Sequence, residues 1–234
     1  MNDEPHNVAA RYARRTASDR YSPLQPDVWQ SLQERQRALL YFLTQSLAAE
    51  GLPNLASLRL TEVGCGSGGN LLELLRLGFA PEHLVGLELL ADRHAQARHT
   101  LPQATPVWLG DATQAPIEPA SQDLVLQSTV FSSLLDDGFQ QRLATTMWSW
   151  LKPGGAVIWY DFTVNNPRNA DVRGVPLQRV RALFPQGLVS HRRVTLAPPL
   201  ARAVCRVHPA LYGLFNSLPF LRTHMLAWIA KPGA

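Results

Sequence analysis

The chain has 234 residues, of which 46% are hydrophobic, enough apolar material for one α/β core with additions. Its two cysteines, Cys65 and Cys205, form no C-x-x-C pair, and the opening "MNDEPHNVAARYARR" lacks the apolar core of a signal peptide, so a metal site, a disulfide framework and secretion are all disfavoured and a cytoplasmic setting is expected. The net charge of +4 is unevenly spread: all eighteen acids lie in residues 1–171, while residues 172–234 carry nine Arg or Lys and no acid.

In "SPLQPDVWQSLQERQRALLYFLTQSLAAEG", Pro26 suits a first helical turn, Val28, Leu32, Leu39, Phe42 or Leu43, and Leu47 recur at helical spacing, and Gly51 reads as the stop. Residues 1–57 are therefore expected to form an N-terminal helical extension, with the main domain over 58–234.

From residue 58 strands and helices alternate. "SLRLTEVG" predicts a strand running into a glycine loop, "NLLELLRLG" a helix closed by Gly78, "HLVGLEL" a second strand, and Asp92 to His99 a polar helix. "TPVWLGDA" and "QDLVLQST" predict strands three and four. "DDGFQQRLATTMWSWLKPGG" predicts a helix ended by Pro153, and "AVIWYDF" a fifth strand. "VPLQRVRALFP" reads as a short helix, "LVSHRRVTL" and "HMLAWIAK" as two late strands, with an insertion at 197–222 between them. Such alternation predicts a doubly wound, mostly parallel seven-stranded α/β sheet with N-terminal helices and a helical insertion between its last two strands.

The loop "TEVGCGSGGN" fits two templates. Gly64, Gly66 and Gly69 satisfy G-x-G-x-x-G, whereas Glu62, Gly64, Gly66 and Gly68 satisfy E-x-G-x-G-x-G. Both rest on a tight turn, close backbone approach and a helix N-terminus aimed at a ligand. Four further elements follow in order: Glu88 at the end of the second strand, Gly110-Asp111-Ala112, Asp123-Leu-Val, and Leu151-Lys-Pro-Gly-Gly. Together the five resemble the class I S-adenosylmethionine-dependent methyltransferases, with a Rossmann-like fold.

The resemblance implies S-adenosyl-L-methionine as cofactor, with Glu62, Gly64, Gly66, Gly68, Glu88, Asp111, Ala112 and Gln127 around it. Glu88 would accept from the ribose hydroxyls, Asp111 from the adenine amine, and the backbone of Ala112 would meet a ring nitrogen. Gln127 and Ser128 end the fourth strand at the crevice of the sheet. An NAD-dependent oxidoreductase fits the glycines and Glu88 but leaves Gly110-Asp111-Ala112 without a purpose. An RNA methyltransferase fits the basic C-terminal third, yet the sequence holds no recognisable RNA-binding module.

Methyl transfer is an in-line displacement, so alignment, contributing roughly 7–11 kcal/mol, outweighs a general base. Candidate bases for O-methylation of a hydroxyl are Asp161, His191 and His224. Asn166 and Arg168 follow the fifth strand as acceptor-side donors. In the insertion, Leu200, Val204, Val207, Leu211, Leu214 and Leu218 form an expected apolar stripe beside Arg202 and Arg206. A lid of that kind suits a small or lipid- or nucleotide-linked saccharide acceptor with an anionic group, and peripheral contact with the inner membrane. No metal ligands are expected.

Overall fold

The computed structural model describes residues 3–14, 20, 22–47, 54–167 and 169–233. Seven strands form one sheet: β1 (Leu60–Val63), β2 (Leu84–Glu88), β3 (Val107–Leu109), β4 (Gln122–Ser128), β5 (Leu151–Phe162), β6 (Leu188–Leu196) and β7 (Arg222–Ala230). Their order is β3-β2-β1-β4-β5-β7-β6. Strands β1 to β5 are parallel, and β7 inserts antiparallel between β5 and β6. The strand order reverses at β1, which opens a crevice at the carboxyl ends of β1, β2 and β4.

The helices are α1 (Glu4–Ala13), α2 (Pro26–Leu47), α3 (Gly69–Leu77), α4 (Ala91–Thr100), α5 (Asp137–Trp150), α6 (Leu177–Leu183), α7 (Pro198–Val207) and α8 (Leu211–Asn216). They cover both faces of the sheet, which is why β4 and β5 read as nearly continuous apolar runs. The alternation of β5 divides the core in two. Val157 and Trp159 pack with Leu143 and Met147 of α5 and Val180 of α6, whereas Ala156, Ile158 and Tyr160 pack with Phe42 and Leu43 of α2 and Leu71 and Leu74 of α3. Each fully buried leucine among these contributes about 1.5–3 kcal/mol.

The N-terminal helices share the cores of the sheet: Val8 belongs to one core cluster and Ala38, Phe42 and Leu43 to the other. Two expectations change on contact with the structure. The third strand keeps only three residues, because Gly110 at φ +147° turns the chain away and Asp111 caps a short 3-10 turn. Strand β5 starts at Leu151, not at Ala156; Gln122 pairs with Leu151 and Leu124 with Ala156, so the Lys-Pro-Gly-Gly run forms an irregular bulge within the strand. Gly51, expected to stop α2, lies outside the described residues.

The insertion is helical, as expected, but carries its own small core of Leu196, Ala201, Val204, Cys205 and Tyr212. It joins β6 to β7 at the crevice-side rim of the sheet, because Leu196 pairs with Arg222 and His224 with Phe162. Strand β6 lies two positions beyond β5, roughly 10 Å at the usual strand spacing. Helix α7 rests on α2 and β6.

Candidate active site

The glycine loop follows β1 directly. Gly64, Gly66 and Gly68 take φ of +66°, +58° and +89°, in the left-handed region that favours glycine. At Gly64 space is limiting too: a Cβ there would sit 2.5 Å from Val130 Cγ2. The loop thus presents backbone where any side chain would block the crevice.

Two carboxylates are fixed around this loop by backbone donors. Gly66 N–H donates to Glu88 Oε2 at 2.8 Å and Leu90 N–H to Glu88 Oε1 at 2.9 Å, so both oxygens are oriented before any ligand arrives. Thr113 N–H donates to Asp111 Oδ1 at 2.9 Å. Glu88, Asp111 and Ala112 line one cavity with Gly64, and the loop residues Cys65, Gly66, Ser67, Gly69 and Asn70 line an adjoining one. Ser128 and Thr129 at the end of β4 border both.

Glu62 lies beneath the loop, fully buried, accepting from Asn70 Nδ2 at 2.6 Å. Its Oε2 has no hydrogen-bond partner. Burial pushes its pKa up to about 7, against the opposing pull of the Asn70 hydrogen bond and the charge of Arg35. A buried carboxylate oxygen without a partner beside a glycine loop fits a cationic ligand group, as the ammonium and sulfonium of S-adenosylmethionine supply. The preset Glu88 carboxylate fits a diol. The residues present therefore fit the cofactor that the motifs imply.

Sequence reasoning missed what the two N-terminal helices bring here: α1 lines a cavity, and α2 sends Arg35 to residues that between them line both. Pro5, Val8 and Tyr12 of α1 line the cavity opposite Glu88 and Asp111. Glu4, buried, accepts from Leu135 N–H at 2.7 Å and Arg11 at 2.6 Å, and Arg11 also donates to Ser133 O at 2.8 Å, which ties α1 to the turn after β4. The guanidinium of Arg93 stands 4.6 Å over the Tyr12 ring. From α2, Arg35 reaches Asn70 Oδ1 at 2.8 Å and Ser128 Oγ at 3.4 Å, and lies 5.1 Å over the Tyr160 ring. A signal existed in Glu34 and Arg35, charged residues at positions that face inward on an otherwise apolar stripe.

The other expected site residues separate. Gln127 is fully buried, with Nε2 donating to Tyr160 O at 3.3 Å and Oε1 accepting from Val130 N–H at 3.1 Å, so it braces the β4 turn and borders neither cavity. Asp161 faces the opposite side of β5 from Tyr160 and is sealed under the 131–133 turn, accepting from Ser132 N–H and Phe162 N–H; burial pushes its pKa up to about 7. His191 is exposed in mid-strand on β6, paired with Ala227, away from the rim. Asn166 is exposed in the loop after β5, and Arg168 lies outside the described residues. Arg202 and Arg206 sit on α7, absent from both cavity linings. The expected stripe splits: Val204 is buried, while Val207, Leu214 and Leu218 are exposed at 77%, 65% and 42%.

His224 alone of the candidate bases stands at the rim. Its ring stacks on Tyr160 at 5.2 Å and meets the Phe162 ring edge-on at 5.9 Å, with Nδ1 3.0 Å from Thr223 Oγ1. Burial, assisted by the charge of Arg35, lowers its pKa to about 4. Behind it, Tyr160 Oη pairs with Thr195 Oγ1 at 2.9 Å, and Glu34 accepts from Thr195 N–H and Tyr212 Oη.

Residues 61–155 match the family described as "Methyltransferase domain". A trans-aconitate 2-methyltransferase from Afipia carboxidovorans is 30% identical over 162 residues, 69% of this chain and 57% of that protein, so the chain spans little more than half the length of this relative. Among solved structures, geranyl diphosphate C-methyltransferase from Streptomyces coelicolor superposes with a TM-score of 0.64 at 14% identity, covering 100% of this chain and 99% of that one. Phosphoethanolamine N-methyltransferase 1 of Haemonchus contortus gives 0.64 at 12% identity, covering 99% and 49%. At such identities the solved structures speak for the fold alone, while the ordered motifs and the matched domain speak for the family. The chain carries a methyltransferase domain over residues 61–155, and its ordered motifs are those of the class I S-adenosylmethionine-dependent methyltransferases.

Proposed function

We propose that the chain transfers a methyl group from S-adenosylmethionine to an oxygen of a small acceptor bearing an anionic group. The observation that carries this reading is the buried, unpartnered Oε2 of Glu62 next to the preset carboxylate of Glu88, both at the glycine loop. When bound, S-adenosylmethionine supplies an electrophilic methyl group on a sulfonium. Glu62 offers a counter-charge, Glu88 the acceptor pair for the ribose, and Asp111 with Ala112 the adenine edge. Helix α1 excludes water from that end through Val8 and Tyr12.

The acceptor side is the rim formed by Ser128, Arg35, Tyr160 and His224. His224 is neutral at pH 7 and its Nδ1 is engaged with Thr223, which leaves Nε2 to meet an acceptor proton. A base with a pKa of about 4 is weak for a hydroxyl. An acceptor oxygen already ionised needs no base, and positioning then carries the catalysis. The relatives support an anionic acceptor by their names, since trans-aconitate, geranyl diphosphate and phosphoethanolamine all carry acidic groups. Asn166, Arg202 and Arg206 remain candidates for contact with a bulkier acceptor from farther along the rim.

Titration calorimetry with S-adenosylhomocysteine and with NAD tests the cofactor. Micromolar affinity for the first is expected, and affinity for NAD alone overturns the reading. Transfer of labelled methyl from S-adenosylmethionine to trans-aconitate and to hydroxylated, phosphorylated and saccharide compounds tests the acceptor, with carboxylates expected to lead.

One observation favours a surface role as well. Val207, Leu214, Leu218 and Phe220 are exposed on and after α7, in the acid-free third of the chain and beside Arg206. Among the described residues no helix is long and apolar enough to cross a membrane. An apolar and basic surface of this kind suits peripheral attachment to anionic lipid.

A further inference from the structure

Arg35 is a partly buried cation whose neighbours do not match its charge. A guanidinium has five N–H donors in a rigid fork. Two of its contacts are to neutral acceptors, Asn70 Oδ1 and Ser128 Oγ, and its carbon lies over the Tyr160 ring. Among the described residues no carboxylate comes within ion-pair distance of it. Glu34, its chain neighbour, turns instead to Thr195 N–H and Tyr212 Oη, 4.0 Å from Arg222 Nε. Glu62 is reached only through Asn70, whose amide accepts from Arg35 and donates to Glu62. The fork is therefore held by packing and by Asn70, with donor capacity left over, next to Ser128, which borders both cavities.

We propose that Arg35 is a carboxylate-binding residue at the junction of the cofactor and acceptor sites, an assignment that rests on the methyl-transfer reading and names the ligand group its rim accepts. A bidentate carboxylate matches the planar fork. Arg35 is a single cation with Glu62 one amide away, so its fork pairs with one carboxylate of the ligand, and any further carboxylate of the same ligand stays outside the fork. Arg222 is engaged with Asn216 O, Arg193 O and Glu34. Two molecules can bring such a carboxylate, the methionine end of the cofactor or the acceptor.

The test uses the full chain with Arg35→Gln, which keeps a polar amide and loses the charge, and Arg35→Lys, which keeps the charge and loses the fork. Calorimetry compares S-adenosylhomocysteine with 5′-methylthioadenosine, a nucleoside without the amino-acid carboxylate. If Arg35→Gln weakens the first at least tenfold and leaves the second within about twofold, the carboxylate is the cofactor's. If both affinities stay at wild-type values while thermal stabilisation of the S-adenosylhomocysteine-saturated protein by trans-aconitate or citrate disappears, it is the acceptor's. Arg35→Lys should fall between, and it carries the test if Arg35→Gln fails to fold. Unchanged responses to all these ligands, or equal loss of both nucleosides, would mean that Arg35 is only a strut and would overturn the proposal. If the wild type binds neither nucleoside, the methyl-transfer reading fails, and the carboxylate assignment stands or falls on stabilisation by trans-aconitate or citrate alone.

Discussion

The two ends of the crevice are made in different ways. At the glycine loop, function is carried by backbone: three glycines at positive φ and a Glu88 carboxylate aimed by two N–H groups, all drawn from a segment of about thirty residues. The rim around Arg35, proposed as the acceptor side, is built from side chains of α2, β4, β5 and β7 that are far apart in the chain. Backbone cradles are written in local motifs because few residues can occupy them. Side-chain pockets depend on which elements the topology brings together, so the same rim can be refitted for a new acceptor without disturbing the cradle.

The largest effect separating the two ends is expected at Gly64. Gly64→Ala adds a left-handed strain and a clash with Val130, together about 2–4 kcal/mol of lost stability by urea unfolding, and S-adenosylhomocysteine binding should vanish with it. Retention of both would show that the loop is less demanding than its geometry.

Next comes Glu88. Glu88→Ala should weaken cofactor binding by about 1–3 kcal/mol and also lower the melting temperature, because Gly66 and Leu90 N–H lose their acceptor. Asp111→Ala should weaken binding by a similar amount with a smaller thermal effect, since Asp111 caps only one N–H. Normal calorimetry for both variants would place the cofactor elsewhere.

The pH dependence sharpens the contrast further. Glu62 has its pKa raised to about 7 in the ligand-free fold, above its ordinary value of 4.5. Its contribution to stability is therefore fully present below the ordinary value and declines as pH rises toward 7. A cationic ligand favours the ionised form, so binding below pH 7 should release a proton and affinity should rise with pH up to about 7, then level. Calorimetry in buffers of different ionisation enthalpy reads the proton directly, and Glu62→Gln should flatten the profile. His224 has the opposite sign: its pKa is lowered to about 4 from 6.5, so its neutral form is favoured by the fold and stability is lost as pH falls from about 6.5 to 4.

The smallest effect concerns the outer surface. Exchanging Val207, Leu214 and Phe220 together for serine should reduce sedimentation with anionic vesicles several-fold at low salt, with cofactor affinity unchanged. Equal sedimentation of wild type and variant would remove lipid from the account.

Most of the sheet was legible because each strand carries its own apolar run and each helix its own period; β6 at 188–196 coincides with "LVSHRRVTL". That Glu88 and Asp111 would stand beside the glycine loop was legible for the local reason given above. Gln127 misled because the last residues of β4 alternate, so that Ser128 reaches the cavities while Gln127 is buried against Tyr160 O. Asp161 misled for the same reason on β5, one residue past Tyr160. The lid was assigned to the insertion because α7 is amphipathic, yet α7 rests on α2 and β6, and the helix that lines a cavity is α1, through Pro5, Val8 and Tyr12. No spacing within a helix reveals which distant strand end it will cover.

The position of β7 between β5 and β6 sets an order of assembly. Strand β6 pairs with β7 and with no other described strand, so it has no place in the sheet until β7 has been made and has docked. Until then the free edge of β5, from Ala156 to Phe162, offers a row of unsatisfied N–H and C=O groups on one of the most apolar strands of the protein. During synthesis the parallel strands β1 to β5, with the glycine loop, can form early, while the edge of β5 that β7 and His224 will cover stays open. On the methyl-transfer reading, the cofactor cradle and the acceptor rim are thus completed by different segments of the chain, the rim last, when β7 docks against β5.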